Sequence, residues 1–558
     1  MKKSFKILIS SIISFSLLSG IYAAQRGGQD LILPGSWVYD ALQSIEMEMA
    51  RVTFSDQAPV SINELKCYMK EIDYERLSEP GKKQYDRIQS YIDQMNWSFN
   101  WGLFSLGTEP GLSVEGYYKS NPDIDWIYDY TKRQAFADLP ITLGIGDYVS
   151  VYMGLQATQS FLARTSNNNY CNQIFTPDTF DAVLTHENYL SAGYMWDNGV
   201  GINLRFGSGT QSIGNSLMPS IILSEYFTDA PFINLRLFSP IFNYNMNVTQ
   251  LTRESYLYTH RIEAVFFKKL QLSFIEGVLP YSSFDLRFVN PFAIFHGYAL
   301  FHEYDAKVNS FFAAKFSFTP CPYLRLYGLY AQNEHTMASE PAASPEGNGF
   351  QLGAETYIPV QNGIIHGGLE FYYSTPYFLI KETPNISFAK VFTEMNSGGD
   401  NFQLMGNPLG ADSLAFKVAL GYEVPESYSI DFAYDFAARG IFSGTKIFKE
   451  SGWNKKDLSY NESNWVYPNN ANKYSDGISY KSPHGTVAFE NKIAVKGTWY
   501  ATPWLTFVVQ PGYTFIFNYD NDADKFRHGF EIALSTRINF TKMVNKKLSS
   551  DFLFTDGK

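Results

Sequence analysis

GVGINLRFGSGTQSIGNSLMPSIILSEYFTDAPFINLRL, residues 199–237, begins and ends on strict alternation. Val200, Ile202, Leu204 and Phe206 share one phase, and Gly201, Asn203, Arg205 and Gly207 share the other. Successive side chains of a strand point to opposite faces, so this pattern builds one apolar face and one polar face. The far end repeats it, with Ile233, Leu235 and Leu237 set against Asn234 and Arg236. The segment between them, 208–216, is rich in Gly and Ser, too polar for a core and too long for a tight turn. Two such strands suit a soluble sheet or a membrane barrel equally, and the chain around them decides.

Downstream the alternation continues at 254–267, 271–279, 308–319, 323–333, 348–360, 363–375, 412–425, 428–437, 486–500, 504–518 and 528–540. The connections are sorted by length. Short ones, such as Lys268-Lys269, Pro320-Cys321-Pro322, Gln361-Asn362-Gly363, Pro425-Glu426-Ser427 and Ala501-Thr502-Pro503, alternate with long ones at about 280–307, 334–347, 376–411 and 438–485. Short turns on one side and long loops on the other are the pattern of an outer-membrane β-barrel. Eleven strands from Glu254 onward, with room for seven in 97–253, predict an antiparallel transmembrane barrel of about 18 strands.

Composition agrees. Aromatics make up 17% of the chain, with 39 Tyr and 46 Phe, while the apolar content is an ordinary 45%. After residue 24 no apolar run approaches the ~20 residues that a membrane helix needs. The net charge of −11 excludes nucleic acid as a natural partner. Three cysteines (Cys67, Cys171, Cys321) supply neither a disulfide framework nor a metal-binding CxxC.

Toward the N-terminus the pattern changes. Residues 1–24 read as a signal peptide: Lys2, Lys3 and Lys6, then an apolar run over 7–18, then Ala23-Ala24. Residues 25–96 read as a small helical domain. Ser36 starts one helix, Ser61-Ile62-Asn63-Glu64 has capping-box spacing for a second, and Tyr85, Ile88, Ile92 and Met95 mark a third. The barrel is then expected over 97–540 and a polar periplasmic tail over 541–558.

Several of these residues resemble the Wzi-type capsule-assembly outer-membrane barrels. The matching pieces are Gly214, Leu223-Ser224-Glu225, Pro231 and Leu235-Arg236-Leu237, then His260-Arg261-Ile262-Glu263, Glu276 and Asn290-Pro291. Ile213 stands where the family usually has Trp. The resemblance implies a closed barrel with a helical periplasmic unit and a role in attaching or assembling surface polysaccharide.

No catalytic constellation stands out, so the expectation is a non-enzyme with no cofactor and no metal. His296 and His302, with Glu303 and Asp305, lack zinc-ligand spacing. Arg205, Arg236, Arg261, Glu263 and Arg287 fall on polar phases, with Glu225 and Asp229 nearby. An Arg facing lipid at midplane costs ~2–4 kcal/mol, which assigns these charges to the lumen. There they either hold an anionic sugar or headgroup or form an ion-pair lattice. In 451–482, Trp453, Trp465, Tyr467 and Tyr474 stand among asparagines. Aromatic faces with amides suit carbohydrate, and such loops also occur without a ligand. Expected partners are outer-membrane lipid, the barrel-assembly machinery and surface polysaccharide. The alternative function is an uptake channel for hydrophobic or small polar solutes, and an open lumen separates the two.

Overall fold

In the computed structural model, eighteen strands close into one antiparallel cylinder. The structure describes residues 22–24, 26–52, 54–93, 95–128, 133–159, 169–172, 180–183, 187–252, 254–280, 282–296, 308–334, 347–381, 386–393, 400–446, 448 and 481–541. In chain order the barrel strands are β1 (Gly111–Lys119), β2 (Ala137–Ile145), β3 (Val149–Gln159), β4 (Asn188–Met195), β5 (Gly201–Gly209) and β6 (Ala230–Phe238). Then come β7 (Phe242–Thr252), β8 (Ser255–Phe266), β9 (Leu270–Pro280), β10 (Val308–Cys321), β11 (Leu324–Glu334) and β12 (Gly347–Val360). The last are β13 (Gly363–Ser374), β14 (Ser413–Val424), β15 (Tyr428–Arg439), β16 (Ala488–Thr502), β17 (Leu505–Phe517) and β18 (Arg527–Asn539). Pairing of β18 with β1, from Asn539↔Gly111 to Glu531↔Lys119, closes the wall. β1 meets β2 only at Gly111↔Asp138 and Leu112↔Ala137, and a hairpin of Met95–Trp101 and Phe104–Thr108 pairs with the short-turn half of β2.

The cylinder is packed inside out, as a barrel in lipid must be. Leu204 and Phe206 are 50% and 63% exposed, while Asn203 and Arg205 on the opposite phase are buried. The same alternation runs through Ile233 against Asn234, Ile262 against Arg261, and Leu272 against Gln271. Tyr148, Tyr194 and Trp196 form an exposed aromatic cluster at the short-turn end, the place where an aromatic girdle meets the membrane interface. No helix among the described residues is long and apolar enough to cross a membrane.

The helices form where the capping residues call for them. Ser36 Oγ accepts the Val38 N–H and starts α1 (Trp37–Glu48). Ser61 Oγ accepts the Glu64 N–H at 3.2 Å and starts α2 (Ile62–Met69). The third helix, α3 (Glu79–Asp93), begins well before the Tyr85 at which its apolar period becomes visible. Val38, Leu42, Ile45, Leu65, Ile88 and Ile92 make a core of their own, which Phe238 of the wall joins. This unit sits in the short-turn mouth. The Val52 N–H donates to the carbonyl of Lys268 and the Tyr323 N–H to that of Met47, both in short turns. From there residues 55–61 run up into the lumen.

A second segment enters from the other end. After Gly209 the chain leaves β5 and folds inward over 210–229 before returning as β6. Ile221, Ile222, Leu223 and Phe227 pack against lumen-facing Ile275, Leu279, Phe311, Ala313 and Leu329, under Phe378, Phe388 and Phe442 from the long loops. The inward phase of the wall anticipates this filling. Gln271 and Ser273 give way along β9 to Ile275 and Leu279, and Arg325 gives way along β11 to Leu329 and Ala331.

Candidate functional site

The two inserted segments meet inside the barrel. Gln57-Ala58 and Ser212-Ile213 pair as a two-residue antiparallel ladder, Ser212↔Ala58 and Ile213↔Gln57. The Gly214 N–H donates to the Asp56 carbonyl at 2.9 Å. Backbone polar groups buried away from water need such partners, and each segment supplies the other's.

Charged side chains of the wall grip this junction at three nodes. At the first, Glu64 of α2 faces Arg236 at 2.6 Å and Arg205 at 3.7 Å, all three within 2% of full burial. Arg236 also donates to the Gln57 carbonyl at 2.7 Å, Arg205 donates to the Pro59 carbonyl, and Tyr68 donates to Glu64 at 2.7 Å. At the second, Asp56 accepts from Arg261 at 2.6 Å and from Lys315, and Arg261 also pairs with Glu263. At the third, Arg325 Nη1 reaches Glu355 at 2.9 Å and, at 2.8 Å each, the Gln43 side chain of α1 and the Asn215 carbonyl. Gln43 donates in turn to Glu355 at 2.7 Å. Farther up, Glu370 accepts from Tyr327 at 2.6 Å and from the Met218 N–H at 3.0 Å. The gap left among Gln57, Pro59, Arg205, Gln211 and Arg236 measures about 10 Å³, room for about one water molecule.

Of the lumen charges expected from the sequence, the structure brings together Arg205, Arg236, Arg261 and Glu263. Arg287 is a correction. It lies in a 3₁₀ turn, Leu286–Val289, half exposed, with its guanidinium on Asp285 at 2.6 Å. Strand β9 has ended at Pro280, and the Asp285 carboxylate accepts the Arg287 N–H and starts the turn. Glu225 and Asp229 also fall away from the lattice. Glu225 is half-buried beside the turn after Ser224, and Asp229 is exposed at the entry to β6, its carbonyl accepting from Lys390 at 3.0 Å. Trp453, Trp465, Tyr467 and Tyr474 lie outside the described residues, as do His302, Glu303 and Asp305. His296 lies outside the lumen, its ring on Ser310 of the outward wall. Among the described residues no three His, Cys, Asp or Glu side chains are placed to hold a metal ion.

No family model matches this chain, and no curated protein matches it. Among solved structures it is similar to Wzi of Escherichia coli, described as an outer-membrane protein involved in group 1 capsule assembly and a carbohydrate-binding β-barrel. The match covers 91% of this chain and 99% of that one, with a TM-score of 0.55 at 13% identity. The fold is Wzi-like. Looser matches include OprD of Pseudomonas aeruginosa (7% identity, 78% of this chain and 95% of that one, TM-score 0.36) and the channel DcaP of Acinetobacter baumannii (8%, 79% and 99%, 0.33). The chain is an outer-membrane β-barrel in contact with membrane lipid.

Sequence reasoning missed Glu64, Asp56, Gln43, Lys315, Arg325 and Glu355 as members of the lattice. For Lys315, Arg325 and Glu355 the signal was present, since each sits on the polar phase of a recognised strand. The meeting of the two segments in this Wzi-like barrel is directly testable. Ser212 and Ala58 are directly opposed, and facing positions of an antiparallel pair bring Cβ atoms to about 4.5–5.5 Å, near the reach of a disulfide. The double substitution Ala58→Cys, Ser212→Cys is expected to cross-link on mild oxidation, read as a 58–212 linked peptide by mass spectrometry. A chain that stays reduced while the single variants still fold would contradict the junction.

Proposed function

We propose that this protein is a non-enzymatic carbohydrate-binding barrel that attaches or assembles surface polysaccharide at its long-loop face, and that solutes do not pass through its lumen. One observation carries the reading: the segments from the two mouths pair with each other and are tied to the wall by buried ion pairs. An uptake channel needs a continuous wet path. Here the described lumen is crossed by a hydrogen-bonded junction below and an apolar plug above. The description of Wzi as carbohydrate-binding supports the same reading. Deleting the gene is expected to release polysaccharide from the cell surface into the medium, and the purified barrel is expected to bind that polysaccharide. Unchanged retention in the deletion strain would overturn the proposal.

The reading requires the short-turn mouth, with its helices, to face the periplasm. Cys321 is exposed at the short-turn end of β10. Cys67 is buried on α2, its thiol donating to the Gly199 carbonyl at 3.2 Å, and burial pushes that thiol up to about 12. A membrane-impermeant maleimide is therefore expected to modify Cys321 only after the outer membrane is permeabilised. Labelling of Cys321 in intact cells would invert the topology.

A further inference from the structure

Residues 282–296, between β9 and β10, do not fold into the lumen. They lie on the outside of the wall. Tyr244, Met246 and Val248 of β7, Tyr258 and His260 of β8, and Glu276 and Val278 of β9 occupy the outward phase of their strands. On the same phase, nearer the short turns, Phe242, Ile262, Leu272 and Phe274 are 43–50% exposed, as a lipid-facing band should be. The upper set is covered. Met246, Val248, Tyr258 and Val278 form one buried cluster with Phe288 and Phe295 of the segment.

Polar contacts stitch the segment down. The Asp285 N–H donates to Tyr258 Oη at 2.8 Å, Tyr244 Oη donates to the Pro291 carbonyl at 2.9 Å, and the His296 N–H donates to Glu276 at 2.6 Å. Charge on the lipid face of a barrel is destabilising in a depth-dependent way. Glu276 sits on that face but is only 6% exposed, because the segment covers it. The segment's own outer side is mainly apolar: Leu286, Phe292 and Ile294 are 75%, 91% and 71% exposed, while Ser283, Asn290 and the Arg287 guanidinium, paired with Asp285, are the polar groups exposed beside them. Large apolar groups concentrated this way mark an interaction site when they face water. They are ordinary where a segment lies in the headgroup–acyl boundary of a membrane. The patch is continuous with the lipid-facing band just below it, which settles the choice of partner.

We propose that 282–296 is a lipid-inserted collar, which places Leu286, Phe292 and Ile294 among the acyl chains of the leaflet on the long-loop side. Glu276 and Tyr258 act as its anchors. The inference is independent of the polysaccharide reading, because it concerns the wall and its solvent and not the loops above.

Site-directed spin labels test it. In a Cys171→Ser, Cys321→Ser background, labels at Phe292→Cys and Ile294→Cys are compared with Phe274→Cys in the lipid band and Phe267→Cys in a short turn, where Phe267 is 92% exposed. Each protein is reconstituted into vesicles of phosphatidylcholine and phosphatidylglycerol, and correct folding is verified by heat-shifted gel mobility. The labels at 292 and 294 should match 274, being relaxed by oxygen and shielded from a water-soluble nickel chelate, at high and at tenfold lower protein-to-lipid ratio. Nickel accessibility like that at 267 would show a water-facing loop and overturn the proposal. Shielding from both reagents would show a protein partner or a second copy and would overturn it as well. As a second readout, a Leu286→Ser, Phe292→Ser, Ile294→Ser variant removes no buried side chain and should retain fewer lipids in native mass spectrometry. An unchanged lipid count would count against the collar.

Discussion

Glu64→Gln is expected to lower the unfolding free energy of the barrel by ~3–5 kcal/mol, the usual loss when one partner of a buried ion pair is removed. The cost is large because two cations depend on the same carboxylate. Arg236 at 2.6 Å and Arg205 at 3.7 Å are both sealed from water with it. Carbonyls of Gln57 and Pro59 solvate part of each guanidinium, but a neutral amide at position 64 leaves a net buried charge. Arg236→Ala should cost more than Arg205→Ala, since Arg236 makes the closer contact. The readout is the midpoint of the heat-induced gel shift, or of urea unfolding in detergent micelles. Polysaccharide retention at the surface should persist in either arginine variant at temperatures where the barrel stays folded. A stability-neutral, retention-defective Arg236→Ala would mean that the arginines hold an anionic ligand and not the helical unit.

The second large effect concerns Asp56, the acceptor shared by Arg261 and Lys315. Arg261 keeps Glu263 when Asp56 is neutralised, whereas Lys315 loses the carboxylate it touches. Asp56→Asn should therefore destabilise by a similar ~3–5 kcal/mol, most of it from the stranded lysine. Asp56 and Glu64 flank the strand that meets the inner loop, and neutralising both removes two of the three nodes that hold the helical unit in the mouth. The double variant Asp56→Asn, Glu64→Gln is expected to keep the barrel wall, as judged by β-rich circular dichroism, and to become leaky to small ions. A double variant as tight and as stable as the parent would show that apolar packing alone seats the unit.

The sequence made the wall legible for a physical reason. Lipid outside and polar groups inside impose a strict period of two, so the strands from Glu254 onward and the lumen side of Arg205, Arg236 and Arg261 could be read from phase, while the total of about 18 rested also on the length left in 97–253. The eleven runs read from Glu254 onward match β8–β18 with ends within a few residues, and the room for seven strands in 97–253 is filled by β1–β7. What fills the wall was not legible. Glu64 read as the last member of a capping box, and its N–H is indeed capped by Ser61. Its carboxylate, however, goes to arginines on β5 and β6, and local spacing carries no information about where a helix docks. Arg287 shows the opposite failure. Phe284-Asp285-Leu286-Arg287-Phe288 alternates like a strand, but Pro280 has already ended β9 and the Asp285 side chain turns the chain. Polar wall residues on recognised strands, Lys315, Arg325 and Glu355, were available to a reading that followed every polar phase to its end.

The central claim is that the lumen is sealed by segments from both mouths, and planar-bilayer recording of the purified full-length chain tests it most directly. The account predicts insertion without resolvable unitary steps, and steps that appear in the Asp56→Asn, Glu64→Gln variant. Stable, open single-channel conductance of the unaltered protein would contradict it.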